Sequence, residues 1–352
     1  MEQDTYSAII LGDTHFDAAP PEFYHGGWTP RDEADRRDRQ GEFARNAEMW
    51  AERMPRLVAA AGRPMAECAV IAPRHAPVAL LHMGDIIQGD CGDADRLRFL
   101  RDGQAACTRG MENLPFLPVC GNHDVRGGGG AAYDDWLGGV LSSVSGIRRF
   151  GGADYLWTHG PDAFVFADFM RPDPSRLDAM LGAAEGARHL FFVTHGTIAP
   201  PDAWGPYWFM LGEPELSRER RALFARLLRR NAVVLCGHLH RTQIRRWERP
   251  EGTLVEFCAN SVLGKGEDAP ELLLDGPGHL GDYVRSTPPP IGEDYDGSRQ
   301  TRTAGELLAL FAWGNRMLAP RGLELTIELA PEAAQARPAF AARLKQPLDI
   351  EE

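Results

Sequence analysis

Five short polar blocks interrupt this chain, and nearly every one stands directly after an apolar run. Ala8-Ile9-Ile10-Leu11-Gly12 leads into Asp13-Thr14-His15, and Leu80-Leu81-His82-Met83 leads into Gly84-Asp85. The run ending at Cys120 leads into Gly121-Asn122-His123-Asp124. His189-Leu190-Phe191-Phe192-Val193 leads into Thr194-His195-Gly196, and Ala232-Val233-Val234-Leu235-Cys236 leads into Gly237-His238-Leu239-His240. Runs of this length and composition read as buried strands. In an α/β sheet the loops leaving the carboxyl ends of the strands converge on one crevice, where ligands bind.

The side chains delivered there are donors for metal ions: Asp13, His15, Asp85, Asn122, His195, His238 and His240. Two residues apart at a strand end, Asp13 and His15 point the same way, as do His238 and His240. Each pair can grip one ion or reach one ion each. Asn122 offers a neutral carbonyl oxygen. Two adjacent cations need a bridging ligand, and Asp85, central in chain order, is the candidate. A mixed nitrogen and oxygen set suits Mn, Fe or Zn better than Ca. Two such ions, roughly 3.5–4 Å apart, activate water and clamp the oxygens of an in-line displacement at phosphorus. His123 adjoins Asn122 and is the candidate acid, with Asp124 expected to orient its ring and raise its pKa.

The ordered set D-x-H, G-D, G-N-H-D, H and G-H-x-H resembles the calcineurin-like metallophosphoesterase superfamily from about residue 7 to residue 261. The resemblance implies one metal held by Asp13, His15, Asp85 and His240, and a second by Asp85, Asn122, His195 and His238. It gives the acid's place to His123 and its partner's to Asp124. It also implies the fold class: α/β, two packed mixed β-sheets flanked by helices in a four-layer sandwich. The expected cofactors are two divalent ions, Mn, Fe or Zn, and the expected partner is a small phosphoester substrate. A phosphodiesterase is the leading activity. A phosphomonoesterase or phosphoprotein phosphatase uses the same motifs, and a non-catalytic scaffold would be expected to have lost some of them.

Other residues read more plainly. A second Thr-His-Gly at His159 sits between two short runs that look like a hairpin, so His195, after a helix and a buried strand, is preferred on topology. His82 reads as a packed strand histidine, and His25, His75, His189 and His279 as surface or loop residues. Cys120 and Cys236 read as small buried apolar groups. Arg126 either contacts a substrate phosphate or lies on the surface.

Helices are expected at residues 38–61, 94–109, 174–187, 217–230 and 304–318, and Gly127-Gly128-Gly129-Gly130 as a flexible connection. Residues 148–168 read as two or three strands, 242–258 as a hairpin, and 323–329 as a strand. Aromatic-rich loops at 16–37 and 196–214 leave from site blocks and are candidates for the pocket rim. Residues 1–263 read as the catalytic domain and 264–352 as an extension packed on it. The formal net charge of −12 argues against general nucleic-acid or membrane binding. The acidic start lacks a signal peptide's basic and apolar regions, and six scattered cysteines suit a reducing cytoplasm.

Overall fold

A computed structural model describes residues 6–16, 77–89, 91, 93–108, 112–198, 209–239, 243–259, 323–328 and 339–344. The expectations for residues 38–61 and 304–318, for His25, His75, His240 and His279, for most of both rim loops and for the boundary at 263 lie outside them.

The first sheet contains β1 (Ser7–Leu11), β2 (Pro77–His82) and β3 (Phe116–Pro118). The second contains β4 (Ile147–Gly151), β5 (Asp154–His159), β6 (Asp162–Ala167), β7 (Leu190–Thr194), β8 (Val233–Cys236), β9 (Gln243–Arg249) and β10 (Gly252–Cys258). Two later strands, β11 (Leu323–Glu328) and β12 (Ala339–Leu344), extend the first sheet, whose order is β12-β11-β1-β2-β3. The order of the second is β4-β5-β6-β7-β8-β10-β9. Both sheets are mixed. β1, β2 and β3 run parallel, while β11 joins β1 antiparallel. β6, β7, β8 and β10 run parallel, with antiparallel neighbours at both edges.

Unbroken apolar runs are needed because both faces of the second sheet are covered. Along β7, Phe191 and Val193 join a core shared with Ile10, Ala79 and Leu81 of the first sheet. The alternate residues Leu190 and Phe192 join a second core with helices α3 (Pro174–Ala183) and α4 (Ser217–Arg229). Leu177, Met180 and Leu181 of α3 and Leu223, Phe224 and Leu227 of α4 supply its apolar stripes. Each fully buried Leu or Phe contributes about 1.5–3 kcal/mol. Helix α3 starts where Asp173 caps it, its carboxylate accepting from Ser175 N at 2.9 Å and Arg176 N at 3.3 Å, with Pro174 fixing the first turn.

On the first sheet's side, α1 (Asp93–Thr108) packs against α2 (Gly130–Leu141), and α2 against β3. Sequence reading misses α2. Its buried residues Tyr133, Trp136, Leu137 and Leu141 have helical spacing, but the preceding glycines suggest a loop. The glycine run is in fact a tight turn into α2. A Cβ on Gly129 would lie 1.9 Å from Arg96 Nε, so the chain needs glycine there to pass a buried arginine.

The ends of the sheets away from the polar blocks are clasped by Asp162. Its carboxylate accepts from Tyr6 Oη at 3.0 Å and Arg188 Nε at 3.2 Å, and lies 2.9 Å from His189 Nδ1. His189, read as a surface or loop residue, lies in the loop before β7 and is buried there as the partner of a carboxylate. His159 ends β5 beside the β5–β6 turn and stacks edge-on against Tyr6, as the hairpin reading expects. Among the described residues, no helix is long and apolar enough to cross a membrane.

Burial alone would raise the Asp162 pKa, but its bonds to His189, Arg188 and Tyr6 outweigh burial and hold it below 3.8. A depressed carboxylate contributes stability above its unfolded pKa, and that contribution is lost as pH falls through the folded value. Asp162→Asn should therefore lower stability at pH 7 by about 3 kcal/mol. The gap from wild type should narrow below about pH 4. Thermal melts across that range check this; a gap independent of pH would contradict it.

Candidate metal centre

The polar blocks meet at the carboxyl ends of β1, β2, β3, β7 and β8. Loop-to-loop backbone bonds fix the meeting: His15 N donates to Asp85 O at 2.8 Å, and Gly237 N donates to His195 O at 2.9 Å. His238 N donates to Asp13 Oδ1 at 3.1 Å, joining residues 225 positions apart. Asp13, Asp85 and His195 are at most 1% exposed, and His15, Asn122, His123 and His238 are also buried.

Two clusters of donor atoms form, and Asp85 belongs to both. One joins His15, Asp85 and His123; the other joins Asp85, His195 and His238; within each, the donor atoms lie within 4.8 Å of one another. His15 Nε2 is 3.7 Å from Asp85 Oδ2 and 4.0 Å from Asp13 Oδ2. His195 Nε2 is 3.3 Å from Asp85 Oδ2 and 3.0 Å from Asn122 Oδ1.

Motif glycines make room for this approach. A Cβ on Gly121 would lie 2.2 Å from Asp85 Oδ1, and one on Gly237 would lie 2.4 Å from Asp13 Oδ1. His15, Asp85 and His238 themselves adopt left-handed backbone, with φ of 45°, 52° and 67°. Non-glycine residues there cost on the order of 1 kcal/mol each, a strain typical of functional loops.

Asp124 does not have the expected task. Its Oδ2 accepts from Asp85 N at 2.9 Å and Gly121 N at 2.9 Å, and its Oδ1 from Ile86 N at 2.8 Å and Ile87 N at 3.2 Å. It fixes the backbone of two site loops and leaves the His123 ring to others. Burial first, then the nearby Asp85 charge, raises its pKa to about 7. His123 is held by Gln88 O, 2.7 Å from Nδ1, and by Arg126, 3.0 Å from Nε2. A carbonyl only accepts and a guanidinium only donates, so Nδ1 carries the proton and Nε2 the lone pair. Burial, then the Arg126 charge, pushes the His123 pKa well down rather than up. With both nitrogens engaged, His123 is poorly placed to be a ligand despite its closeness to the first cluster.

His195 has the opposite electrostatics. Burial lowers its pKa, but Asp85 and Asp13 outweigh burial and push it to about 10. Its Nδ1 donates to Met83 O at 2.7 Å, an outer bond typical of a metal-binding imidazole, and fixes Nε2 toward Asp85 and Asn122. A proton on Nε2 satisfies those oxygens in the metal-free protein, and a cation would take its place. The grouped His and Asp donors fit the binding of divalent metal. His82 takes no part. Its Nδ1 accepts from Gly84 N at 3.2 Å, its Nε2 meets Thr14 Oγ1 at 3.0 Å, and burial lowers its pKa to about 3.

Several supporting residues escape sequence reading. The Phe169 ring lies 5.6 Å from the ring of His195 and 5.3 Å from that of His238, forming an apolar wall. Buried Glu256 accepts from Ile198 N at 2.7 Å and secures the loop after His195. Arg96 donates to Asp124 O at 2.9 Å. None belongs to a motif; only the folded chain brings them near.

This is a buried site of grouped His and Asp side chains that could hold metal. The calcineurin-like phosphoesterase family model matches residues 6–242, more than half of the chain, and the protein belongs to that family. A solved structure of the sulfate thiohydrolase SoxB of Thermus thermophilus in complex with glycerol is similar at 17% identity and a TM-score of 0.34. The similarity covers 74% of this chain and 50% of that one, so the chain spans about half its length. No curated protein matches.

Two substitutions test how the loops hold the site. Gly237→Ala forces a methyl onto Asp13 and should weaken metal binding at least about tenfold, with about 1–3 kcal/mol of destabilisation. Asp124→Asn turns an amide toward two backbone N–H groups and should cost about 3 kcal/mol. Metal titration and chemical denaturation provide the readings. Wild-type metal affinity in Gly237→Ala would show that the loops are not packed as described.

Proposed function

We propose that the protein is a dinuclear-metal phosphodiesterase that hydrolyses a small phosphoester. The observation that carries this reading is Asp85, common to both donor clusters, with the His123 ring edge-on to His15 at 4.4 Å between centroids. One ion would be held by Asp13, His15 and Asp85, with His240 as its fourth ligand. The other would be held by Asp85, Asn122, His195 and His238. Manganese, iron or zinc suits these donors. Bound, the ions supply Lewis-acid activation of water and charge stabilisation at phosphorus.

The chain's own groups supply the remainder. Met83 O and Asp124 hold His195 and the Asp85 loop in place before substrate binds. Phe169 excludes water from one wall. His123, its tautomer set by Gln88 O, has its lone pair on Nε2, and it would serve as a proton relay by taking a proton there from the attacking water and passing it to the leaving oxygen. Arg126 donates to His123 and so places a guanidinium beside the site. The buried thiols of Cys107 and Cys120 favour the reducing cytoplasm as its location.

The test starts with chelator-stripped protein reconstituted with Mn(II), Fe(II) or Zn(II). Hydrolysis of bis(p-nitrophenyl) phosphate should return with metal and exceed that of p-nitrophenyl phosphate. The reverse order would favour a monoesterase, and no turnover with any metal would favour a scaffold. His123→Ala should lower kcat by about 10²–10⁴ with metal content unchanged. An unchanged kcat would remove its assigned role.

A further inference from the structure

We propose that Arg126 binds the phosphoryl oxygens of the substrate, its guanidinium resting on His123 in the free protein and transferring to phosphate on binding. This deepens the phosphoesterase reading and rests on it. In the structure an Arg126 N–H donates to His123 Nε2 at 3.0 Å. The bond to a neutral imidazole sets one charge against a dipole, whereas a bond to phosphate pairs two opposite charges and allows a bidentate fit. An anion entering the site therefore outcompetes His123 for this donor. The transfer also uncovers the Nε2 lone pair, so the same movement that holds phosphate makes His123 accessible to the reacting groups.

Placement supports the assignment. Arg126 bonds the His123 imidazole, which stands edge-on to the His15 ring at 4.4 Å between centroids and has a ring nitrogen within 4.8 Å of the His15 and Asp85 donor atoms. Its backbone is anchored, and the residue is half-buried. Buried Arg96 supplies the anchor: its NH1 donates to Asp124 O at 2.9 Å, and its NH2 donates to Gly89 O at 3.3 Å and to Arg126 O. Arg96 is thus a positioning residue, tying the turn after Asp124 to the loop after β2. The next residues, Gly127 and Gly128, are exposed. A guanidinium matches two phosphate oxygens at once, which an ammonium does not.

Inorganic phosphate is the probe. It is titrated calorimetrically into the full-length protein, metal-free and Mn(II)-loaded, and bis(p-nitrophenyl) phosphate kinetics are measured in parallel. Arg126→Ala should weaken phosphate binding and raise KM by about tenfold or more. Metal content should not change, and kcat should fall far less than KM rises. Arg126→Lys should recover part of the affinity. If Arg126→Ala proves too unstable to assay, Arg126→Gln keeps a polar side chain without the charge and is expected to show the same losses. Unchanged phosphate affinity and KM in the neutral variant would overturn the assignment. So would a loss confined to kcat, which would mean that Arg126 acts only on His123. If wild type binds phosphate through Arg126 yet hydrolyses neither diester nor monoester, the phosphoesterase reading fails while the Arg126 site stands.

Discussion

Two buried carboxylates, Asp85 and Asp124, hold the centre of this molecule together by exchanging roles between loops. Asp124 binds the backbone of the Asp85 loop through the N–H groups of Asp85, Ile86 and Ile87. Asp85 in return accepts from His123 N at 2.8 Å, on the loop that carries Asp124. Burial first, and then the like charge of Asp85, disfavours ionised Asp124 and raises its pKa. The reciprocal clasp leaves the Asp85 side chain where both donor clusters can use it. It also explains why the site loops tolerate three non-glycine residues in left-handed backbone. The clasp and the sheets beneath it over-determine conformations that the residues would not choose alone.

Much of this was legible because the sequence pairs chemistry with topology. The runs before Asp13, Gly84, Gly121, His195 and Gly237 had to be buried strands, and parallel buried strands deliver their following loops to one crevice. The choice of His195 over His159 came from the same rule: one follows a helix crossover, the other a hairpin turn. Closure between Asp13 and His238 across 225 residues is the outcome that reading required. Helix α2 was hidden because glycine at 127–130 resembles a linker. Its true cause, close packing against Arg96, exists only in three dimensions.

Roles proved harder to read than positions. Asp124 follows His123 directly, and adjacency suggested a partnership with its ring. Consecutive residues in a turn point apart, however, and the carboxylate found backbone donors instead. The ring's real partners are Gln88 O and Arg126, one on another loop and one on the same turn. Arg96, Phe169 and Glu256 likewise act through contacts that no local pattern encodes. His189, read as a surface or loop residue, lies in the loop before β7 and is buried against Asp162.

The central claim is that Asp85 is shared by two cations held side by side. Electron paramagnetic resonance of the fully Mn(II)-loaded protein tests it most directly, because ions about 3.5–4 Å apart couple magnetically. The expected spectrum is that of a spin-coupled pair, collapsing to isolated-ion signals when Asp85 is replaced by Ala. Isolated-ion signals from the saturated wild-type protein, or a coupled pair that survives the loss of Asp85, would contradict the account.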